Sequence, residues 1–588
     1  MFVLLLPLLF LPVWGLAQEI RKDSVVVTGT YEPVPLEEAD RAVRTIEVGP
    51  QLLTSASLAD FLQLDPALDL RQRAPGGVQA DLSIRGSTFG QTLVLLDGLR
   101  MNDAQSGHHN LDLPVALDMV ERLEILRGAG SSLYGSDAVG GVIHVITGKP
   151  QFSEVAVRSA VGSFGTNQQR WTASALIGSL SQRLAVSRDF SSGFQENRDY
   201  RNLLLSSLTH WRRTRVMLGH RDSPFGAQGF YGAYPSWERT KAWYASATQG
   251  LDRKTDISFS FRRHTDLFVL YRYRPEVYTN RHAVESYQGA LRRREEFAPN
   301  VRVFYGAEGW GDAIQSTNLG RHSRARAAAY AALDVRALRR FSFSAGLRGE
   351  SHGAFERVWS PTVAGGAWLS PNWKLRASAS RAFRVPTYTE LYYHDPANAG
   401  SPDLRPENAW SYEGGLEWNS GGRWRADAAV FARREKDVID YVRRSARDIW
   451  RATNFQRLNF RGAEAALSFR LSPVQQLDLR YAALHGSRDF LQGFESKYVF
   501  NYPSHSAVAG WQWTGRGVAL RTRLGALNRL RRDPYAVWDV YAARVGGRLN
   551  PFLQLTNLSG TSYEEIPGVS MPGRAAVFGV QCILWRSR

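Results

Sequence analysis

The 588-residue sequence contains one cysteine, Cys582, and that scarcity excludes an internal disulfide framework and any cluster of cysteine metal ligands. It leaves the redox compartment undecided. Long apolar runs are equally scarce. Only Met1 to Ala17, MFVLLLPLLFLPVWGLA, stands out, and it is too short and too proline-broken to span a bilayer as a helix. Its small-residue pattern Gly15-Leu16-Ala17 before Gln18 predicts a signal peptide over residues 1–17, while the lack of Lys or Arg after Met1 leaves an upstream start codon open. With no other candidate helix, any membrane span must be a β-barrel. Catalytic patterns are missing too: there is no G-x-S-x-G, no H-E-x-x-H and no clustered Cys/His set, so the sequence predicts no enzyme, no catalytic residue, no cofactor and no resident metal.

What is present is positive charge, aromatic residues and glycine. The formal net charge is +18, carried mostly by arginine. A nucleic-acid footprint would produce such a balance, but the cations are interleaved with acids and no zinc-finger, RRM or helix-turn-helix pattern accompanies them. Nucleic acid is therefore not an expected partner. An arginine-lined lumen, or loops facing acidic lipopolysaccharide or an anionic ligand, accounts for the same charge. Trp (17) and Tyr (23) exceed the needs of a soluble core and suit girdles at membrane interfaces. From Gln151 onward the chain alternates, as in Ile257-Ser258-Phe259-Ser260-Phe261-Arg262, Trp424-Arg425-Ala426-Asp427-Ala428 and Leu477-Asp478-Leu479-Arg480-Tyr481. Periodicity alone fits either a soluble sandwich or a lipid-facing barrel.

The most informative stretch is Arg122 to Thr147, RLEILRGAGSSLYGSDAVGGVIHVIT. A short strand, Leu123 to Leu126, breaks at Arg127-Gly128, turns through Ser131 and Ser132, and ends in a β-branched run, Val142 to Thr147. Five glycines argue against a helix. A phosphate-binding loop fails on position: the third glycine of a dinucleotide fingerprint would fall at Leu133, and the P-loop lysine at Gly141. Upstream, Ser57 to Leu62 predicts a short helix with Ser57 as N-cap and Asp60 at the capping-box position. Strands follow at Asp81 to Arg85 and at Thr92 to Leu96, the second leading into an Asp97-Gly98 turn. Met101 to Leu113, MNDAQSGHHNLDL, has loop composition.

In this order, SLADFLQLDPALDL, DLSIRGSTFGQTLVLLDGLRMND, LDLPVALDMVERLEILRG and LYGSDAVGGVIHVIT resemble the plug domain of TonB-dependent outer-membrane receptors of the cobalamin and siderophore type. Ser380 to Trp418, Ala452 to Phe469 and Pro551 to Val580 resemble barrel segments of the same family. The resemblance implies an all-β membrane protein: an antiparallel barrel of about 22 strands around an N-terminal α+β plug. It implies a periplasmic segment at 18–30, a plug at 31–150 and a barrel at 151–588. In that segment Asp23-Ser24-Val25-Val26-Val27-Thr28 is similar to a TonB box, a peptide that the energy-transducing partner TonB grips by strand addition. The implied function is TonB-dependent import of a large, scarce metal chelate or corrinoid by a monomer seated in outer-membrane lipid and lipopolysaccharide.

The resemblance also suggests site residues. Gln105, His108, His109 and Asn110 fall in the plug loop that points at the ligand, and Phe230, Tyr231, Tyr234 and Trp237 in an outer loop, FGAQGFYGAYPSW. Arg85, Arg122, Glu124 and Arg127 are expected to meet the barrel wall. For cobalamin, Asp189, Glu196 and Asp199 are too sparse for a calcium-binding acidic cluster. A haem receptor is an alternative, with His394 and either His108 or His109 as axial ligands. A passive porin or a surface adhesin would use the same barrel without the gripped peptide.

Overall fold

The computed structural model describes residues 25–26 and 34–587, apart from 299, 339, 354, 456 and 488–492. The signal-peptide segment lies outside the described residues. No helix among the described residues is long and apolar enough to cross a membrane.

Twenty-two antiparallel strands close into one barrel, from Glu154–Gly162 to Ala575–Arg586. Closure comes from pairing the first strand with the last, Val155 opposite Trp585 and Gly162 opposite Val577. A closed barrel leaves no strand edge and satisfies its backbone between strands, the condition for spanning lipid without helices. The alternation runs with its apolar face outward. Ile257 and Phe259 are 46% and 52% exposed, whereas Ser258 and Ser260 between them are 5% and 4% exposed. A soluble sandwich would bury the phenylalanine and wet the serine. This inversion marks a lipid-facing wall around a polar interior.

Connections at one end are tight, as at Arg516-Gly517, where both residues have positive φ and join Gly515 to Val518. The other end carries the long ones, spanning 385–406, 437–457, 487–502 and 557–574, beside short ones such as Ser163–Gly165. Short turns face the periplasm and long loops face outward in such barrels. Three of the long loops share a small sheet in the order Asn398–Ala399, Trp450–Phe455, Val438–Arg443, Glu495–Ser496.

The plug is built on a five-stranded mixed sheet ordered Val43–Glu47, Val120–Arg127, Gly141–Thr147, Thr92–Leu96, Leu99–Arg100. A hairpin of Leu68–Gln72 and Ala80–Ile84 stands beside it. The Asp97-Gly98 turn has positive φ at both residues, the two-residue hairpin geometry that this dipeptide favours. Two local expectations need correcting. The helix is Ala59–Leu62, and only half of the capping box forms: the Asp60 carboxylate accepts from the Ala56 and Ser57 N–H groups, while the Ser57 hydroxyl is buried without a hydrogen bond. In the glycine-rich stretch, Ser131–Tyr134 makes one helical turn rather than a plain turn, ended by Gly135 at φ 80°. Nothing excluded one turn between those glycines.

The plug fills the lumen. Its main apolar core includes Phe61, Leu96, Ile125 and Val145, and it continues onto Ala185, Leu208, Met217 and Tyr244 of the barrel. Contact is close enough that a Cβ on barrel residue Gly219 would lie 2.0 Å from the Pro114 carbonyl oxygen of the plug. Ion pairs fix the remainder: Arg529 to Asp69 through two hydrogen bonds of 2.5 and 3.0 Å, and Lys374 to Asp40 at 3.0 Å.

Candidate functional site

The outward-facing crown of the plug carries Phe89, the loop after Gln72 and the loop around His108. Local hydrogen bonds set the latter. Asp103 accepts from the Gln105 N–H at 2.9 Å, Asn110 accepts from the Asp103 N–H at 3.0 Å, and Asn110 donates to the Phe89 carbonyl at 3.2 Å. Asx-type bonds of this kind hold a loop in shape without regular structure. His108 stacks on Phe89 at 4.3 Å, and its Nδ1 lies 2.6 Å from Asp81. Burial lowers the His108 pKa, and the Asp81 carboxylate opposes that only in part. Burial would raise Asp81, but Arg73 and His108 outweigh it and hold the carboxyl well below the usual carboxylate range.

The outer loops meet this crown with rings and cations. Tyr498 packs edge-on to Phe89 at 5.1 Å and to His108 at 5.9 Å, and Tyr441 packs edge-on to Tyr498 at 6.3 Å. The Lys497 ammonium sits 5.5, 5.8 and 5.4 Å from the rings of Tyr441, Trp450 and Tyr498, and Arg443 lies 4.3 Å over Trp450. Across the mouth, Arg73 is 6.0 Å over Tyr231, whose hydroxyl is 2.8 Å from Gln79 and 2.6 Å from Glu238. Rings interleaved with cations form a surface suited to flat, anionic ligands.

A plug of this architecture in a barrel of this size has close counterparts. Residues 45–142 match the family description "TonB-dependent Receptor Plug Domain", and residues 134–559 match "TonB dependent receptor-like, beta-barrel". The chain belongs to the TonB-dependent receptor family. It is an integral protein of the outer membrane.

Among the receptor's relatives are a vitamin B12 transporter, BtuB, of Vibrio vulnificus (26% identical over 438 residues, 68% of each chain) and an iron-regulated outer membrane virulence protein of Vibrio cholerae (26% over 502 residues, 75% of each). Similar solved structures include the siderophore receptor PirA from Acinetobacter baumannii, with a TM-score of 0.76 at 15% identity. That match covers 92% of this chain and 98% of PirA. The ferric enterobactin receptor PfeA from Pseudomonas aeruginosa gives 0.77 at 15% identity, covering 95% and 100%. At such identities these structures speak for the fold.

The receptor places the anticipated residues unevenly. In the TonB-box segment, Val25–Val26 pairs antiparallel with Val34–Pro35, while Asp23, Ser24, Val27 and Thr28 lie outside the described residues. Arg85 bonds Glu464 at 2.7 and 2.9 Å and Glu413 at 2.6 Å; Arg127 bridges Glu464 at 3.0 Å to plug residue Asp65 at 2.7 Å. Arg122 instead bonds Glu124 and Glu121, both in the plug. Gln105 donates to Asp266 of the barrel at 3.1 Å, and His109 is buried between the plug and the wall.

In the outer loop, Tyr231 and Tyr234 are exposed, but Phe230 is buried against Phe225 and Arg198. Trp237 belongs to the strand Pro235–Gly250, between the buried, inward-facing Ser236 and Glu238, so it points out of the barrel rather than into the mouth. His394 is exposed and tied through its backbone to Asn318; among the described ring contacts and bonds, none joins it to His108 or His109. Reading the sequence missed Arg73, Phe89, Tyr441, Trp450, Lys497 and Tyr498. The signal for Arg73 was the Ala-Pro-Gly-Gly turn after it, which lifts a loop out of a hairpin; for the others, distant loops converge and no local signal exists.

Proposed function

We propose that this receptor imports a ferric siderophore, driven by TonB, and that the ligand is an anionic chelate with aromatic iron-binding groups. The observation that carries this reading is the mouth itself, where Phe89, His108, Tyr441 and Tyr498 alternate with Arg73, Arg443 and Lys497. Rings offer stacking area and cations offer charge, the pairing that a flat polyanion needs. Cobalamin is the second reading, favoured by the likeness to a vitamin B12 transporter. Haem is weaker: His108 is engaged by Asp81 and Phe89, and His394 is exposed and held through its backbone to Asn318. A passive pore is disfavoured by a plug packed and ion-paired to the wall.

Transport would begin with capture at the crown. Ligand contact with the loops around Phe89 and His108 reaches the barrel through Asp103 and Gln105, and a pull on Asp23 to Thr28 would then act on a plug already loosened above. Strand addition spreads that load over several main-chain bonds. The test is binding by the purified receptor of a ferric tris-catecholate, a ferric hydroxamate, cobalamin and haem, measured side by side. Tightest binding of the catecholate is expected. Preference for cobalamin or haem would overturn the ligand assignment.

A further inference from the structure

Beneath the mouth, and joined to it through Glu238 and Tyr231, a second cluster lies buried where the plug loop meets the wall. His109 and Asp112 come from the plug; Glu238, Arg262, His264 and Asp266 face inward from two adjacent barrel strands. The side chains of His109, Asp112 and His264 are 4%, 9% and 0% exposed. We propose that His109 Nδ1, Asp112 Oδ2 and His264 Nε2 form a binding site for a divalent transition cation, zinc above all, which clamps the plug loop to the barrel.

The spacing fits. Bonds of about 2.0–2.1 Å in a tetrahedral zinc site place neighbouring donors roughly 3.3–3.4 Å apart. Asp112 Oδ2 lies 3.4 Å from His109 Nδ1 and 3.2 Å from His264 Nε2, and one donor atom from each of the three residues falls within 4.8 Å of the other two. The two rings face each other with centroids 4.7 Å apart and planes tilted by 41°. Water would take the fourth position.

The surroundings point to the same ligand. Each imidazole has a carboxylate behind its other nitrogen: Asp103 Oδ2 lies 3.1 Å from His264 Nδ1, and Asp266 Oδ2 lies 3.6 Å from His109 Nε2. Such carboxylate–histidine–metal arrangements fix the tautomer and orient the ring. A neutral imidazole has one N–H and serves one carboxylate, whereas an imidazolium has two and would serve both, so a proton and a cation compete for this place. With a cation on the facing nitrogens, each ring gives its single N–H to the carboxylate behind it. Without one, His109 Nδ1 is buried with no hydrogen bond although Asp112 Oδ2 lies 3.4 Å away, and only His264 Nε2 of the two facing nitrogens is engaged, by Asp112 Oδ2 at 3.2 Å. Buried polar atoms are rarely left so. Two ligands belong to the plug and one to the barrel, so the occupied site must break before the plug moves.

The full-length receptor, purified in detergent, stripped with chelator, incubated with Zn²⁺ and desalted, is expected to retain about one equivalent by elemental analysis. Co²⁺ in its place should give the intense visible bands of a four-coordinate ion. Asp112→Asn and His264→Ala, each verified as a folded barrel by heat-modifiable gel mobility, should lose the metal and the bands; His394→Ala should keep both. A folded wild-type receptor that retains no zinc, or shows only the weak spectrum of hydrated Co²⁺, would overturn the proposal. So would a folded His264→Ala variant that still held a full equivalent.

Discussion

Replacing Glu464 by glutamine should loosen the plug without unfolding the barrel. Glu464 accepts three charge-assisted hydrogen bonds, from Arg85 Nε at 2.7 Å, Arg85 Nη2 at 2.9 Å and Arg127 Nη1 at 3.0 Å. Bonds to charged groups contribute about 1.5–3 kcal/mol each, so their plain sum is about 5–9 kcal/mol. That sum overshoots, because Arg85 keeps Glu413 and Arg127 keeps Asp65. Glutamine also retains one acceptor, though it leaves the guanidinium charge less compensated. Breaking one side of a buried pair costs about 3–5 kcal/mol, the expected effect here.

The assay is maleimide labelling of an Ala138→Cys plug residue in a Cys582→Ser background as urea is raised, with heat-modifiable mobility reporting the barrel. At an m-value of about 1–3 kcal/mol/M, the labelling midpoint should fall by roughly 1–5 M. Glu296→Gln breaks only an exposed 3.9 Å contact with Arg302 and should leave the midpoint in place. Equal midpoints for Glu464→Gln and the parent would refute the view that this bridge locks the plug.

Three further outcomes follow from the same interior. Burial, with the nearby charges of Arg215, Arg122 and Arg292, lowers the His144 pKa to about 3. The plug resists protonating it, so its stabilising effect is complete above about pH 6.5 and is lost as pH falls toward 3, at up to about 1.4 kcal/mol per unit; His144→Gln should flatten the pH dependence of the labelling midpoint in that window. Gly219→Ala places a Cβ 2.0 Å from the Pro114 carbonyl oxygen, and displacement of the plug should appear as faster proteolysis of plug residues in a folded barrel. At the mouth, Tyr498→Ala removes the ring that contacts Phe89, His108 and Tyr441; titration of the ferric catecholate should show affinity falling by about tenfold or more, as for an aromatic hot spot.

The barrel was legible because its alternation is simple and its context was not soluble. Ile257 to Arg262 gave the period, and the inverted burial at Phe259 and Ser260 supplied what periodicity could not, namely which face meets lipid. The plug was legible where turns demand particular residues, as at Asp97-Gly98. Local patterns failed where several short outcomes share one composition: Ser131–Tyr134 made a helical turn, and the Ser57 hydroxyl did not cap. The site was least legible. Arg85 meets a partner 379 positions away, and the ring cluster joins Phe89 to loops beyond residue 440. Trp237 shows the opposite failure, since loop-like neighbours concealed a strand that turns its side chain outward.

The central claim is energised import through a gripped peptide and a movable plug, and uptake of a radiolabelled ferric siderophore by whole cells tests it most directly. Cells carrying the receptor without residues 23–28 should bind the chelate at their surface as the parent does, yet accumulate none. The parent should lose accumulation when the proton gradient is collapsed. Undiminished accumulation without that segment, or without the gradient, would contradict the account.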